Sequence, residues 1–263
     1  MIPKVIHYCW FGRGPKSNLV KKCIDSWRRV LPEYTLKEWN EDNFDVNALP
    51  YVKEAYEHCK WAFVTDYVRL FALYTEGGIY MDSDVEVLKP LDRFLAHVAF
   101  TGYESSGWAV TGIMASEKGG AWVKEQLTHY DGLHFVREDG SLDMTANVEP
   151  ITKSMRSHGM RLDKKYEMVE NYITLYPSDF FCPKNWATDK IDLTENTYVI
   201  HHFTGTWLDA NGRIIRWFSN RGHPQIGYYV GYFFRSPKVV VLDLLDFLRI
   251  KVLRMKVNPL LKR

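Results

Sequence analysis

The sequence has no long uncharged apolar run, no large excess of one charge, no cysteine pairing pattern, and no internal repeat or low-complexity linker. Nothing approaches the roughly 18 consecutive apolar residues that read as a membrane-spanning helix, so no span is expected. The formal net charge is only +2 over 263 residues. That excludes a general nucleic-acid binder, which needs a strong basic excess. Cys9, Cys23, Cys59 and Cys182 form no Cys-x-x-Cys pair and match no zinc spacing. They read as reduced, mostly buried thiols of a cytosolic protein. Met1-Ile2-Pro3-Lys4 leads directly into an apolar strand pattern, so no secretory leader is expected. Without a linker, the length suits one sizeable core and at most two domains.

What the chain does have is aromatic side chains, at 15% of residues with 9 Trp and 16 Tyr. Most are expected in a Trp-rich core, and the rest offer flat faces for sugars and bases. Val5–Phe11 reads as a first buried strand, with a loop marked by Gly12, Gly14 and Pro15. Helices are expected over 18–30, stopped by Pro32, over 52–59, and over 61–75, which has two largely apolar stripes and ends at Gly77-Gly78. Strands are expected over 34–39, 79–81, 85–88, 98–102, 109–114 and 198–203, and a helix over 121–130. Residues 131–147 read as polar loop. Early alternation of strand and helix predicts an α/β fold, a Rossmann-like mixed sheet flanked by helices with a crevice at the strand ends.

The strand 79–81 runs into Asp82-Ser83-Asp84. In an extended segment the two carboxylates share a side, roughly 6.6 Å apart at Cα. Such a pair suits a hard cation, Mn²⁺ or Mg²⁺, that also takes phosphate oxygens. A bare Asp-x-Asp is more often a solvated turn. Here the preceding helix adds Asp66 and Arg69 at i and i+3 on an otherwise apolar face. A charged pair in apolar surroundings needs a reason, and binding ribose and diphosphate supplies one.

Residues 61–88 (Trp-Ala-Phe-Val-Thr-Asp-Tyr-Val-Arg-Leu through Gly-Gly-Ile-Tyr-Met-Asp-Ser-Asp-Val-Glu-Val-Leu) resemble the Asp-x-Asp sugar-binding region of glycosyltransferase family 32, a group that includes bacterial capsule and lipopolysaccharide enzymes. Ile2–Gly12 is similar to that family's first strand, and His201-His202-Phe203-Thr204-Gly205-Thr206-Trp207 resembles its His-x-x-x-Gly-Ser-Trp signature with Thr206 in the Ser position. The resemblance implies a GT-A-like nucleotide-sugar-binding fold and retaining transfer of a hexose or N-acetylhexosamine from a nucleotide sugar, most often UDP-linked, with Mn²⁺. It implies that Trp10 or its neighbours face the base, that Asp66 and Arg69 contact ribose, sugar or phosphates, and that Tyr80 and Asp82 contact the sugar nucleotide. Asp84 becomes the direct metal ligand, with Asp82 beside it and His201 as a third ligand or diphosphate contact. Trp207 closes over the diphosphate or donor sugar. Asn147 and Glu149 are candidates for contact with the reacting sugar or acceptor, although a plain turn before a helix reads equally well. Only one of His201 and His202 can face the metal, because adjacent strand residues point to opposite sides.

Residues 239–257 combine a broad apolar face with charges that are all basic beyond Asp246. The chain is therefore read as a catalytic domain, 1–235, followed by a basic amphipathic C-terminal helix, 236–263. Such a helix suits the anionic inner face of the cell membrane, where a lipid-linked oligosaccharide acceptor sits, or packs on protein. The expected location is cytoplasmic and peripheral on that membrane. Two rivals remain at this stage. One is a metal-independent glycoside hydrolase using Asp82 and Asp84. The other is a non-catalytic glycan-binding protein at the membrane surface.

Overall fold

The computed structural model of the chain describes residues 1–104, 107–109, 112–186, 188–205 and 217–218. Residues Met1–Trp186 and Lys190–Trp207 make one compact unit. Thr206, Trp207, the expected boundary at 235 and the expected tail helix lie outside the described residues.

The first strand is β1 (Val5–Cys9), followed by α1 (Asn18–Val30), β2 (Thr35–Trp39), α2 (Pro50–Glu57) and α3 (Trp61–Glu76). Next come β3 (Gly78–Met81), β4 (Val85–Val87), β5 (Ala99–Gly102), β6 (Ile113–Ser116) and α4 (Ala121–Thr128). The last elements are α5 (Val148–Ser157), β7 (Glu167–Val169), β8 (Ile173–Tyr176), α6 (Ser178–Phe181) and β9 (Val199–His201). Seven strands form one sheet in the order β2-β1-β3-β6-β5-β8-β7, and β4 pairs with β9 in a separate ribbon. β1 is parallel to β2 and β3, whereas β6 is antiparallel to β3 and β5. The expected mixed sheet flanked by helices is thus observed.

Alternation along the strands builds two cores, one on each face. Ile6, Ile79, Met81 and Ile113 pack with Val20, Ile24 and Trp27 of α1 on one face. Tyr80 and Met114 pack with α3 and α4 residues on the other. α1 begins where the Ser17 hydroxyl accepts from the Val20 amide, and its end carries Arg28 and Arg29 at the negative pole of the helix. α3 is apolar on both stripes because it lies against β1, β3, α2 and α4.

His7, expected to pack rather than act as a base, is fully buried between strands. It accepts from the Trp39 indole at 3.0 Å and donates to the Gly77 carbonyl at 2.8 Å. Burial lowers its pKa, so it serves as a neutral strut between β1, β2 and the end of α3. Of the expected strand over 109–114, Ile113 and Met114 lie in β6, Ala109 bridges Tyr103, and residues 110–111 lie outside the described residues; β7, β8 and α6 had no clear sequence signal. β7 and β8 are three and four residues long, too short to show a period.

The turn from α3 into β3 has almost no freedom. Gly78 has φ of +118°, and a Cβ there would lie 2.7 Å from the Val5 carbonyl oxygen. Gly78→Ala should therefore cost about 2–3 kcal/mol, read by urea unfolding. A loss under about 0.5 kcal/mol would mean that the turn relaxes freely.

Candidate active site

β3 delivers Asp82 at its end, but the acidic motif is not extended as the sequence suggested. Ser83 and Asp84 form a turn in which the Val85 amide donates to the Asp82 carbonyl at 3.0 Å. The Asp82 amide donates to the Gly112 carbonyl at 2.8 Å, and the His202 amide donates to the Asp84 carbonyl at 3.0 Å. The turn is therefore gripped by the residue ahead of β6 on one side and by the end of β9 on the other. α1 supports β4 from below, since the Trp27 indole donates to the Val85 carbonyl and the Ser26 hydroxyl accepts from the Val87 amide.

Each carboxylate spends one oxygen on protein donors and turns the other toward His201. Asp84 Oδ2 accepts from the Thr204 amide at 2.7 Å and its hydroxyl at 2.8 Å, and Oδ1 lies 3.5 Å from His201 Nε2. Asp82 Oδ1 accepts from the Tyr80 hydroxyl at 2.7 Å and lies 3.4 Å from Arg69, whereas Oδ2 lies 3.7 Å from His201 Nε2. One ligand atom from each of Asp82, Asp84 and His201 lies within 4.8 Å of the others. Bonds from a divalent cation to oxygen or nitrogen run about 2.0–2.6 Å, so one ion can reach all three. Two carboxylate oxygens and an imidazole nitrogen suit Mn²⁺ or Mg²⁺ better than a soft ion.

His201, not His202, faces the pair. His202 turns away and shares Glu86 with Lys22, at 2.9 and 3.0 Å. The His201 ring lies 4.0 Å from Phe203, and Gly112 lies so close that a Cβ there would fall 2.6 Å from His201 Nδ1. Burial alone would lower His201, but Asp84 and then Asp82 hold its pKa well above the ordinary value. Asp84 is held well below the usual range, His201 and the Thr204 donors overcoming the cost of burial. A cation entering this cluster would displace the His201 proton, so its affinity should rise with pH.

Asp66 and Arg69 do share a face of α3, and both are buried. The guanidinium reaches Asp66 at 3.0 Å and Asp82 at 3.4 Å and lies 4.8 Å from the Tyr80 ring centre. Burial would lower Arg69, but Asp82, Tyr80 and Asp66 hold its pKa raised. Burial, with Asp82 adding, lifts Asp66 to about 7 against the pull of Arg69. The pair is therefore joined directly to the acidic turn.

The other expected residues are more scattered. The Trp10 indole, just beyond β1, donates to the Gly14 carbonyl at 2.7 Å and lies under Lys16. Among the described residues it makes no hydrogen bond to the acidic cluster. Asn147 and Glu149 stand at the start of α5, so a helix begins here as the turn reading allowed. Asn147 is buried and its Nδ2 has no partner, whereas Glu149 lies in the first turn. Gly112 and Thr204 escaped the sequence reading. Thr204 stood inside a noted segment, but its grip on Asp84 depends on a turn that no local pattern signals.

Residues 17–101 match the family model described as a glycosyltransferase sugar-binding region containing a DXD motif. Asp66, Arg69, Tyr80, Asp82 and Asp84 lie inside the match, and His201 lies outside it. Inositol phosphoceramide mannosyltransferase 3 of Schizosaccharomyces pombe is 30% identical over 125 residues, which are 45% of this chain. The match spans 34% of that relative's length. Among solved structures, PaToxG glycosyltransferase is similar at 17% identity with a TM-score of 0.45, over 60% of this chain and 70% of that one. The galactosyltransferase LgtC, in complex with donor and acceptor sugar analogs, is similar at 11% identity with a TM-score of 0.43, over 76% and 87%.

Removing the guanidinium would leave the buried Asp66 carboxylate and the half-buried Asp82 carboxylate without their shared cation. Arg69→Ala should cost about 3–5 kcal/mol of stability, well beyond the effect of an exposed ion pair. Chemical denaturation measures it, and a cost below about 1 kcal/mol would mean that water screens the site.

Proposed function

We propose that the protein is a metal-dependent glycosyltransferase of the GT-A type. The observation that carries this reading is the convergence of Asp82, Asp84 and His201 on one point, with both acids inside the matched sugar-binding region. We further infer transfer with retention of a hexose or N-acetylhexosamine from a nucleotide sugar, UDP-linked, to a glycan acceptor, lipid-linked, in surface polysaccharide synthesis. The finer choices rest on the sequence resemblance.

Asp84 Oδ1, Asp82 Oδ2 and His201 Nε2 would hold the cation. When bound, the cation supplies Lewis-acid neutralisation of the charge that grows on the departing diphosphate. Thr204 fixes Asp84 through two hydrogen bonds, and Tyr80 with Arg69 fixes Asp82, so both acids are oriented before ligand arrives. Arg69 also sets a permanent positive charge beside the acidic turn, suited to phosphate oxygens. Retention needs no strong protein base here, since the acceptor proton can pass to the departing phosphate oxygen. The glycoside-hydrolase reading is less well supported, because an imidazole joins the two acids in one cluster of ligand atoms that suits a cation.

The test is a screen of nucleotide sugars with Mn²⁺, reading release of nucleoside diphosphate. Turnover with one donor should vanish on chelation and fall at least about a thousandfold in Asp84→Ala. A folded Asp84→Ala protein that keeps both turnover and Mn²⁺ binding would sink the assignment.

Membrane attachment through 239–257 belongs to the same proposal, on the strength of its basic and apolar sequence. No helix among the described residues is long and apolar enough to cross a membrane. Truncation after Ser236 should release the protein from anionic liposomes and leave donor hydrolysis intact. Co-sedimentation decides it, and full-length protein that ignores anionic lipid would assign the tail to protein packing.

A further inference from the structure

We infer that Trp108 is the platform on which the acceptor sugar stacks, and that this acceptor is a neutral pyranose; the inference rests on the glycosyltransferase reading above. The connection between β5 and β6 starts as a narrow hairpin. Tyr103 bridges Ala109, the Glu104 amide donates to the Trp108 carbonyl at 2.8 Å, and the Gly107 amide donates to the Glu104 carbonyl at 2.9 Å. The Ala109 amide donates to the Thr152 hydroxyl of α5 at 3.1 Å, which ties the hairpin to the body of the protein. Four residues after Trp108, Gly112 packs on His201 and accepts from the Asp82 amide. The same connection between β5 and β6 thus contributes Gly112 to the acidic cluster and Trp108 to the hairpin.

Trp108 itself is 40% exposed. Among the described residues its indole N–H has no hydrogen-bond partner and its ring has no aromatic neighbour. Trp27 is buried and bonded to Val85, Trp39 is buried and bonded to His7, and Trp10 is bonded to Gly14; Trp122 also has an unpartnered indole N–H but is fully buried, whereas that of Trp108 belongs to an exposed side chain. Trp108 presents an apolar face and a spare donor four residues ahead of Gly112, which touches the acidic cluster. A pyranose offers the complement, an apolar C–H face ringed by hydroxyls.

The surroundings decide against a charged partner. The nearby loop supplies Arg161, Lys164 and Lys165, but also Asp163 and Glu167, and Glu104 stands in the hairpin. A Cβ on Gly107 would lie 2.9 Å from the Lys164 side chain, so this loop does flank the hairpin. Three positive and three negative side chains give no net attraction for an anionic lipid surface or polyanion. They do give donors and acceptors for hydroxyls.

The experiment uses full-length protein labelled with 5-fluorotryptophan, with the Trp108 resonance assigned through Trp108→Phe. Neutral p-nitrophenyl hexosides and N-acetylhexosaminides are titrated in the presence of Mn²⁺ and UDP. At least one glycoside should move the Trp108 resonance. Its dissociation constant should rise about tenfold or more in Trp108→Ala and less in Trp108→Phe. Mn²⁺-dependent UDP affinity should stay within about twofold in both variants. No shift with any glycoside, or equal glycoside affinity in Trp108→Ala, overturns the inference while leaving the donor chemistry standing. Failure of wild-type protein to bind any nucleotide with Mn²⁺ would instead remove the reading on which it rests.

Discussion

Two carboxylates held side by side and partly out of water repel one another, and the surrounding structure is arranged to make that juxtaposition tolerable. Asp82 and Asp84 do not neutralise each other; each is given its own donors. Tyr80 and Arg69 serve one, and the Thr204 amide and hydroxyl serve the other. What remains is a single oxygen from each acid, pointing at His201. The protonated imidazole then occupies the place suited to a cation. That exchange gives the cluster a tolerable apo state without spending the ligand atoms on permanent partners.

The same constraint explains why charges lie deep in α3. A helix packed on both sides would ordinarily be apolar throughout. Asp66 and Arg69 interrupt it because Asp82 needs a counter-charge on the α3 face of the sheet, where alternation along β3 has placed Tyr80. The strut made by His7, which pairs in register with Tyr80, acts on the same joint. It ties the Gly77 carbonyl to Trp39, so the short path from α3 through Gly78 to Asp82 is fixed at its start.

Much of this was legible in the sequence for reasons of locality. The helix 18–30 has a capping serine and a stopping proline, and α3 ends in two glycines with positive φ. The Asp-x-Asp pair and its i, i+3 partners lie within one short stretch, and the chemistry of that stretch could be named. The turn at Ser83 could not, because its shape comes from Gly112 and His202, far away in the chain. The choice between His201 and His202 likewise needed the partner strand, since Val85 pairs with His201 and leaves His202 to Glu86. α5 follows Asn147 as the turn-before-helix reading allowed, and Pro150 fits because it sits in the first helical turn.

The β4–β9 ribbon joins Val85 to His201 across more than a hundred intervening residues. During synthesis, both acids leave the ribosome long before the strand that completes their site. At translation speeds of roughly 5–20 residues per second, the interval lasts about 6–23 seconds. The half-made pocket has its negative charges but not its imidazole or the Thr204 clamp. Closure of so long a loop is entropically slow and comes after the local helices have formed. The acidic pair therefore gains its imidazole and its Thr204 clamp together, when β9 docks.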